Sequence, residues 1–147
     1  MPRFSANLSL LFTELPLLER FSAAREYGFL AVEIQFPYET PAEHIKTQIE
    51  RTGLELILIN VPVGDLMNGG EGLAAVPSKR QEFVDAVDKA AEYADIIRPK
   101  FINILPGCCF ETDHFNQYME TFINNLAHAA DVFLKKDIKV VFEAVNS

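Results

Sequence analysis

The sequence has few basic residues and no long apolar run. Thirteen lysines and arginines stand against 21 aspartates and glutamates among its 147 residues, which gives a net charge of −8. Proteins that bind nucleic acids or anionic membranes generally present a basic face to the phosphate groups. The charge therefore argues against both classes of partner and favours a small molecule.

Signals for export, membrane insertion and disulfide bonding are also missing. No apolar segment approaches the roughly 18 residues that indicate a membrane span, and residues 1–4 lead into a strand pattern rather than a secretory signal. Cys108 and Cys109 are adjacent, so they cannot build a disulfide framework or, without other ligands, a zinc site. We therefore expect a cytoplasmic protein.

Two nucleotide-binding motifs are absent as well. The first turn, Phe12-Thr13-Glu14-Leu15, lacks the glycines of a dinucleotide fingerprint. The glycine-rich segment 64–72 lacks the Gly-Lys-Ser/Thr ending of a phosphate-binding loop. Loops of this length often have a function, such as covering a binding site. We therefore expect residues 64–72 to form a lid rather than a phosphate-binding loop.

What the sequence does contain is a regular alternation of strand and helix patterns. Apolar, strand-like runs occupy residues 4–12, 30–36, 54–61, 101–105 and 138–144. Helical spacing occupies residues 15–27, 41–52, 78–97 and 113–135. Gly28 and Gly53 would end the first two helices, and Thr40 is the expected N-cap of the second.

The two long helices show apolar stripes that predict their buried faces. In the helix over 78–97 the stripe comprises Phe83, Val87, Ala90, Ala91 and Ala94. In the helix over 113–135 it comprises Phe115, Met119, Phe122, Ile123, Leu126, Ala130 and Phe133.

Strands alternating with helices of ten or more residues indicate an α/β fold with a parallel sheet and right-handed crossovers. The sheet could be open and doubly wound, or part of a closed (β/α)8 barrel. A complete barrel needs about 250 residues, so we expect a partial TIM barrel, with about the first five strands and four helices, in one domain over residues 1–147. Its open sheet edges and inner apolar face would need cover, which predicts a homo-oligomer.

Polar residues near the predicted strand ends are the candidates for a site, because such sheets carry their chemistry at the carboxyl ends of the strands. Glu143 is the strongest candidate: a carboxylate between apolar neighbours suits proton transfer or metal ligation, although a solvated terminal carboxylate is the plain alternative. The other candidates are Asn7, Glu33, Gln35, Asn60, Asn103 and Asn146. Glu33 could instead be a supporting carboxylate, and Asn60 and Asn103 could be loop-anchoring amides. Phe12 and Phe36 could form the walls of a pocket or the rim of the core.

Seven segments of the chain have distinctive sequences. They are Met1-Pro2-Arg3-Phe4-Ser5-Ala6-Asn7-Leu8-Ser9, Phe12-Thr13-Glu14, Leu18-Glu19-Arg20-Phe21, Ala31-Val32-Glu33, Phe36-Pro37-Tyr38, the loop from Gly64-Asp65 to Val76-Pro77, and Phe142-Glu143-Ala144-Val145-Asn146. Together they resemble the hydroxypyruvate isomerase family of xylose isomerase-like TIM barrels. The resemblance covers the whole chain, which would correspond to the N-terminal part of the family's barrel.

The resemblance implies an isomerase that converts hydroxypyruvate to tartronate semialdehyde, or acts on a related 2-oxo-tetronate. It implies that two glutamates transfer a proton through an enediolate, often beside Mg²⁺ or Mn²⁺. Glu143 matches the first glutamate and a metal ligand, and Asn7, Phe12, Glu33, Phe36, Asn60 and Asn103 are expected to bind substrate. The second glutamate and the remaining metal ligands have no counterpart in this chain.

Two hypotheses follow for the function. In the first, the full-length protein is a 2-oxo acid isomerase of which this chain alone is expected to be inactive. In the second, the chain is a truncated, inactive relative that acts as an oligomeric structural or binding module.

Overall fold

A computed structural model describes residues 2–143, in which five strands alternate with four α-helices. The strands are β1 (Ser5–Asn7), β2 (Ala31–Ile34), β3 (Glu55–Asn60), β4 (Phe101–Ile104) and β5 (Lys139–Phe142). The helices are α1 (Leu17–Glu26), α2 (Ala42–Thr52), α3 (Arg80–Ile97) and α4 (Phe115–Leu134). Short 3-10 turns occupy Leu66–Asn68, Pro77–Lys79 and Thr112–His114.

The strands form one sheet in the order β1-β2-β3-β4-β5. The pairs β1–β2 and β2–β3 are parallel, and the register between β2 and β3 shifts between Val32 and Glu33. Each strand neighbours the next one along the chain, as expected where a helix connects successive parallel strands. The predicted α/β class, with five parallel strands and four helices, is confirmed.

The chain divides into two compact units. The first unit runs to Ile59 and includes Glu92–Phe101. The second unit consists of Asn60–Ala91 and the chain from Ile102 onward.

In the first unit, α1 and α2 contact each other, and Phe21 and Ile45 on these helices are fully buried. Gly53 ends α2 with φ +64° and donates its N–H to the Ile49 carbonyl oxygen. A left-handed residue at this position is most readily a glycine, because glycine has no Cβ to clash with the carbonyl group. Gly28 follows α1 with φ +87°, so both predicted helix ends are confirmed.

The first strand is shorter than predicted, since β1 covers Ser5–Asn7 rather than residues 4–12. The Asn7 side chain explains the early end: its Oδ1 accepts the Ser9 N–H at 2.9 Å. The Asn7 carbonyl oxygen also accepts the N–H groups of Leu10 and Leu11 at 3.1 and 2.8 Å. An asparagine that binds the backbone two residues ahead forms a turn, which apolar patterning does not detect.

Thr40 is not the N-cap of α2, contrary to expectation. Pro41 flanks the helix, and no side chain caps it. Thr40 instead closes a turn, in which its N–H donates to the Pro37 carbonyl oxygen at 3.0 Å. Its own carbonyl oxygen accepts a hydrogen bond from the Tyr93 hydroxyl at 3.0 Å. Thr40 therefore stabilises the turn that precedes the helix.

In the second unit, the stripe predicted for α3 is confirmed by Phe83, Val87 and Ala90, which are at most 1% exposed. The stripe predicted for α4 is wrong in part. Phe115 and Ile123 are 54% and 59% exposed, and the buried residues of α4 are Phe122, Asn125, Ala129 and Phe133. The buried face includes a polar residue, Asn125, and apolar spacing alone cannot predict that such a residue is buried.

The predicted fifth strand, 138–144, is observed as β5 over Lys139–Phe142. Ala144 and Asn146, the latter a candidate site residue, lie outside the described residues. Within residues 2–143, none of the helices combines the length and apolar character that crossing a membrane demands.

Candidate active site

Three polar side chains at strand ends meet in the second unit. Asn60 is the last residue of β3, Asn103 lies in β4, and Glu143 directly follows β5. The Asn103 Nδ2 donates to the Asn60 Oδ1 at 3.1 Å and to the Glu143 Oε2 at 3.3 Å. The structure therefore brings together three of the predicted site residues, although neighbouring members are 43 and 40 positions apart in the sequence.

The three members of this cluster differ in burial. Asn60 and Asn103 are 3% and 2% exposed, whereas Glu143 is exposed. The two amide side chains are thus held in place by the surrounding protein, whereas the carboxylate that Asn103 contacts is open to solvent. This arrangement suits a group that exchanges protons with a small ligand.

The packing of Phe142 shows which side of the sheet Glu143 faces. The Phe142 ring contacts the Phe122 ring edge to face, with centroids 5.6 Å apart, so Phe142 points toward α4. Successive residues of an extended chain point to opposite faces. Glu143 therefore lies on the face opposite α4, where it reaches Asn103.

The hydrogen bonds also fix the orientation of the Asn103 amide group. An ionised carboxylate accepts hydrogen bonds but does not donate them, so the atom that faces Glu143 must be Nδ2 rather than Oδ1. The Oδ1 atom is consequently directed elsewhere. It is buried, and the described part of the chain offers it no hydrogen-bond donor.

A second polar pair lies in the first unit. Asn7 and Glu33 are register partners of β1 and β2, and the Asn7 Nδ2 donates to the Glu33 Oε1 at 2.8 Å. The Asn7 Oδ1 is used by the turn after β1. The structure therefore pairs two predicted residues through a hydrogen bond, while their role in substrate binding stays a prediction.

The two aromatic candidates have different surroundings. Phe12 is half-buried with φ +60°, and its ring packs on Tyr27, the residue that follows α1, at 5.5 Å between centroids. Phe36 is half-buried two residues after β2. Contact of either ring with a substrate stays a prediction.

The described residues do not form a complete metal centre. Across residues 2–143, no three His, Cys, Asp or Glu side chains are close enough together to hold a metal ion. Glu143 and the amide oxygen of Asn103 are the oxygen donors that Mg²⁺ and Mn²⁺ prefer, but Mg²⁺ requires near-octahedral coordination by six groups. The role of Glu143 as a metal ligand therefore stays a prediction.

The sequence reasoning missed Glu71 as an organising residue of the second unit. Its carbonyl oxygen accepts the Cys108 N–H at 2.9 Å, and its carboxylate accepts a hydrogen bond from the Tyr118 hydroxyl. Gly107 lies against it with φ +96°, where a Cβ atom would overlap the Glu71 carbonyl oxygen. The segment expected to be a lid is thus fastened at residue 71 to the loop after β4. The glycine before the two cysteines was the available signal.

Asp65 fastens the other part of this segment. Its carboxylate accepts the Gly72 N–H at 2.9 Å and pairs with the Lys79 ammonium at 3.1 Å. Both contacts hold the pKa of Asp65 below its usual range, the Gly72 hydrogen bond most strongly.

Comparison with known proteins identifies the family. The sequence model of the xylose isomerase-like TIM barrel family matches residues 21–147. The 2-oxo-tetronate isomerase of Pectobacterium atrosepticum is 37% identical over 147 residues, which are 100% of this chain and 56% of that protein. The hydroxypyruvate isomerase of Escherichia coli is 40% identical over 146 residues, which are 99% of this chain and 57% of that protein.

A solved structure gives the same result for the fold. The crystal structure of a Brucella melitensis protein named AP endonuclease, family 2, superposes with a TM-score of 0.93 at 40% identity. It covers 99% of this chain and 56% of that one. The chain thus spans little more than half the length of the relatives it matches, and the predicted partial TIM barrel is confirmed. The chain belongs to the xylose isomerase-like TIM barrel family.

Proposed function

We propose that the protein is an isomerase of small sugar acids, acting on hydroxypyruvate or a 2-oxo-tetronate. The names of relatives that are 37% and 40% identical support this class of reaction. The observation that carries the proposal is the Glu143 carboxylate, which is exposed and held by a buried amide group at the carboxyl end of the sheet.

In the proposed reaction, the Glu143 carboxylate removes a proton from carbon 3 of hydroxypyruvate. The electron pair of the broken C–H bond forms the C2–C3 double bond of an enediolate. Return of that proton from Glu143 to carbon 2 and transfer of the carbon 3 hydroxyl proton to the carbon 2 oxygen give tartronate semialdehyde, so no atoms are gained or lost. General acid–base catalysis of this kind contributes about 10²- to 10⁴-fold to a rate.

The roles of the other candidate residues belong to the same proposal. Asn103 holds the carboxylate, and Asn60 accepts a hydrogen bond from the same amide group. The candidates for substrate contact are Asn7, Phe12, Glu33, Phe36, Asn60 and Asn103. The Mg²⁺ or Mn²⁺ ion stays an expectation, because the described residues supply too few ligands, and no step is assigned to it. The cytoplasmic location likewise stays a proposal.

An assay of the protein in its full-length form with hydroxypyruvate tests the proposal, with and without added Mg²⁺ or Mn²⁺. Formation of tartronate semialdehyde should disappear in Glu143→Gln, which keeps the size of the side chain and removes its ability to accept a proton. Glu120→Gln is the matched control, since Glu120 is an exposed carboxylate on α4. Turnover that survives in Glu143→Gln refutes the assignment of this residue.

A second candidate function is that of an oligomeric module without activity. Large apolar side chains of the first unit favour it, because Phe4, Leu11 and Leu30 are 71%, 43% and 62% exposed and line one cavity. Exposed apolar surface of this kind is typical of association sites. Sedimentation analysis of the well-folded chain decides this point: a dimer or larger species without turnover supports the module, and a monodisperse monomer contradicts it.

A further inference from the structure

The amide group of Asn103 has a buried acceptor that the protein leaves without a donor. The residue is 2% exposed, and its Oδ1 has no hydrogen-bond partner within residues 2–143. A buried polar atom in this state is costly, and natural proteins retain few of them. Its position beside the candidate catalytic carboxylate suggests that the missing donor belongs to a ligand.

The chemistry of the amide determines what that ligand must offer. Because Glu143 and Asn60 occupy the Nδ2 side, Oδ1 is available only as an acceptor. A ketone or carboxylate oxygen cannot donate to it. A hydroxyl group can, and in the substrates considered above a hydroxyl group stands on the carbon that loses its proton.

We propose that Asn103 recognises the hydroxyl group of the substrate: Oδ1 accepts a hydrogen bond from it while Nδ2 holds the Glu143 carboxylate alongside. This inference rests on the proposed isomerase function and deepens it, since it selects 2-oxo acids that carry a hydroxyl group on the adjacent carbon. One rigid amide would then set the distance between the hydroxyl-bearing carbon and the base.

Because Oδ1 is buried, the proposal requires a local movement on binding, and Glu143 is the member of the cluster that is free to move. This side chain is exposed, lies beyond the last residue of β5, and is joined to Asn103 by a hydrogen bond of 3.3 Å, the longer of the two that Asn103 donates. Exposed side chains change rotamer within nanoseconds.

Hydroxypyruvate and pyruvate are the probes for this proposal, because they differ by a single hydroxyl group. Dissociation constants are measured by calorimetry on the full chain, on Asn103→Leu, and on Asn116→Leu, which alters an exposed asparagine of α4. The wild-type chain and Asn116→Leu should prefer hydroxypyruvate by about tenfold or more, as expected for a hydrogen bond to a buried acceptor. In Asn103→Leu the preference should fall below about threefold.

A spectroscopic readout accompanies the affinities. The side-chain amide resonances of Asn103 should shift when hydroxypyruvate is added and stay in place when pyruvate is added. A loss of folding alone would not produce this difference between two ligands. Resonances that respond equally to both ligands would overturn the proposal.

Turnover of the full-length protein, as wild type and as Asn103→Leu, separates this inference from the proposed function. If hydroxypyruvate is isomerised but Asn103→Leu keeps the wild-type preference for hydroxypyruvate over pyruvate, the inference is overturned and the proposed reaction stands. A preference that depends on Asn103 without isomerisation supports the inference while the proposed reaction fails. Failure of the wild-type chain to bind either probe overturns the inference.

Discussion

Replacement of Asn125 by alanine should destabilise the second unit markedly. Asn125 is fully buried on α4, its Nδ2 donates to the Ala74 carbonyl oxygen at 2.9 Å, and its Oδ1 accepts a hydrogen bond from the Arg80 guanidinium at 2.8 Å. The side chain thus connects α4 with the segment before α3 and with the start of α3. No other residue type matches both contacts, because both an acceptor and a donor are needed at this length.

The magnitude follows from these two hydrogen bonds. Each contributes about 0.5–1.5 kcal/mol, and the exposure of Arg80 keeps the charged bond near this range. Loss of the side chain also leaves the Ala74 carbonyl group, in a residue 3% exposed, without this donor, which adds about 1 kcal/mol or more. We therefore expect Asn125→Ala to lower the free energy of unfolding by about 2–4 kcal/mol.

Urea unfolding followed by circular dichroism measures this loss. Asn124→Ala is the matched control, since Asn124 is the exposed neighbour on the same helix, and it should cost less than about 0.5 kcal/mol. Arg80→Ala should cost about 1 kcal/mol, and its effect should largely vanish when Asn125 is already alanine. A loss in Asn125→Ala equal to that in Asn124→Ala would refute the assigned role of the buried amide.

Two further predictions concern the contacts of Glu71. Gly107→Ala should destabilise the chain more than Gly28→Ala. Both glycines have positive φ, but of the two only Gly107 lies where a Cβ atom would overlap other atoms. Equal losses of unfolding free energy in urea would contradict this. Tyr118 donates to the Glu71 carboxylate, which with partial burial raises the pKa of Tyr118 to about 12 from its ordinary value of 10.0. A raised pKa in the folded chain means that the resulting stabilisation is complete below about pH 10 and is lost as the pH rises through about 12. The stability difference between the wild type and Tyr118→Phe should therefore shrink above pH 10, and a difference independent of pH would disprove the contact.

The sequence predicts the order of the elements well because the strands are buried apolar runs and the helices have apolar stripes. Gly28 and Gly53 mark helix ends for a local steric reason, so both predictions hold. The end of β1 and the buried face of α4 escape prediction because polar groups decide them. Asn7 ends a strand through its own turn, and Asn125 is buried because distant backbone and guanidinium groups satisfy it.

The candidate site shows the same division. The rule that chemistry lies at strand carboxyl ends selects Asn60, Asn103 and Glu143, and the structure joins them by hydrogen bonds. The contacts of Glu71 with Cys108 and Tyr118 cross 37 and 47 positions of the sequence and depend on how two loops meet. No local pattern encodes such a meeting, so only the glycine at 107 hinted at it.

Asn103→Leu offers a final test, because it distinguishes a residue kept for ligand binding from one kept for folding. The leucine side chain branches at the same atom as asparagine and removes a buried oxygen that has no donor within the described residues. It also removes two hydrogen bonds: the exposed Glu143 regains its loss from water, whereas the buried Asn60 Oδ1 loses this donor, a cost similar in size to the gain from removing the Asn103 oxygen. The terms nearly cancel, so the free energy of unfolding should change by less than about 1 kcal/mol. A loss above about 2 kcal/mol in urea unfolding would mean that the amide serves the fold, whereas near-neutral stability with lost hydroxyl preference would mean that it serves the ligand.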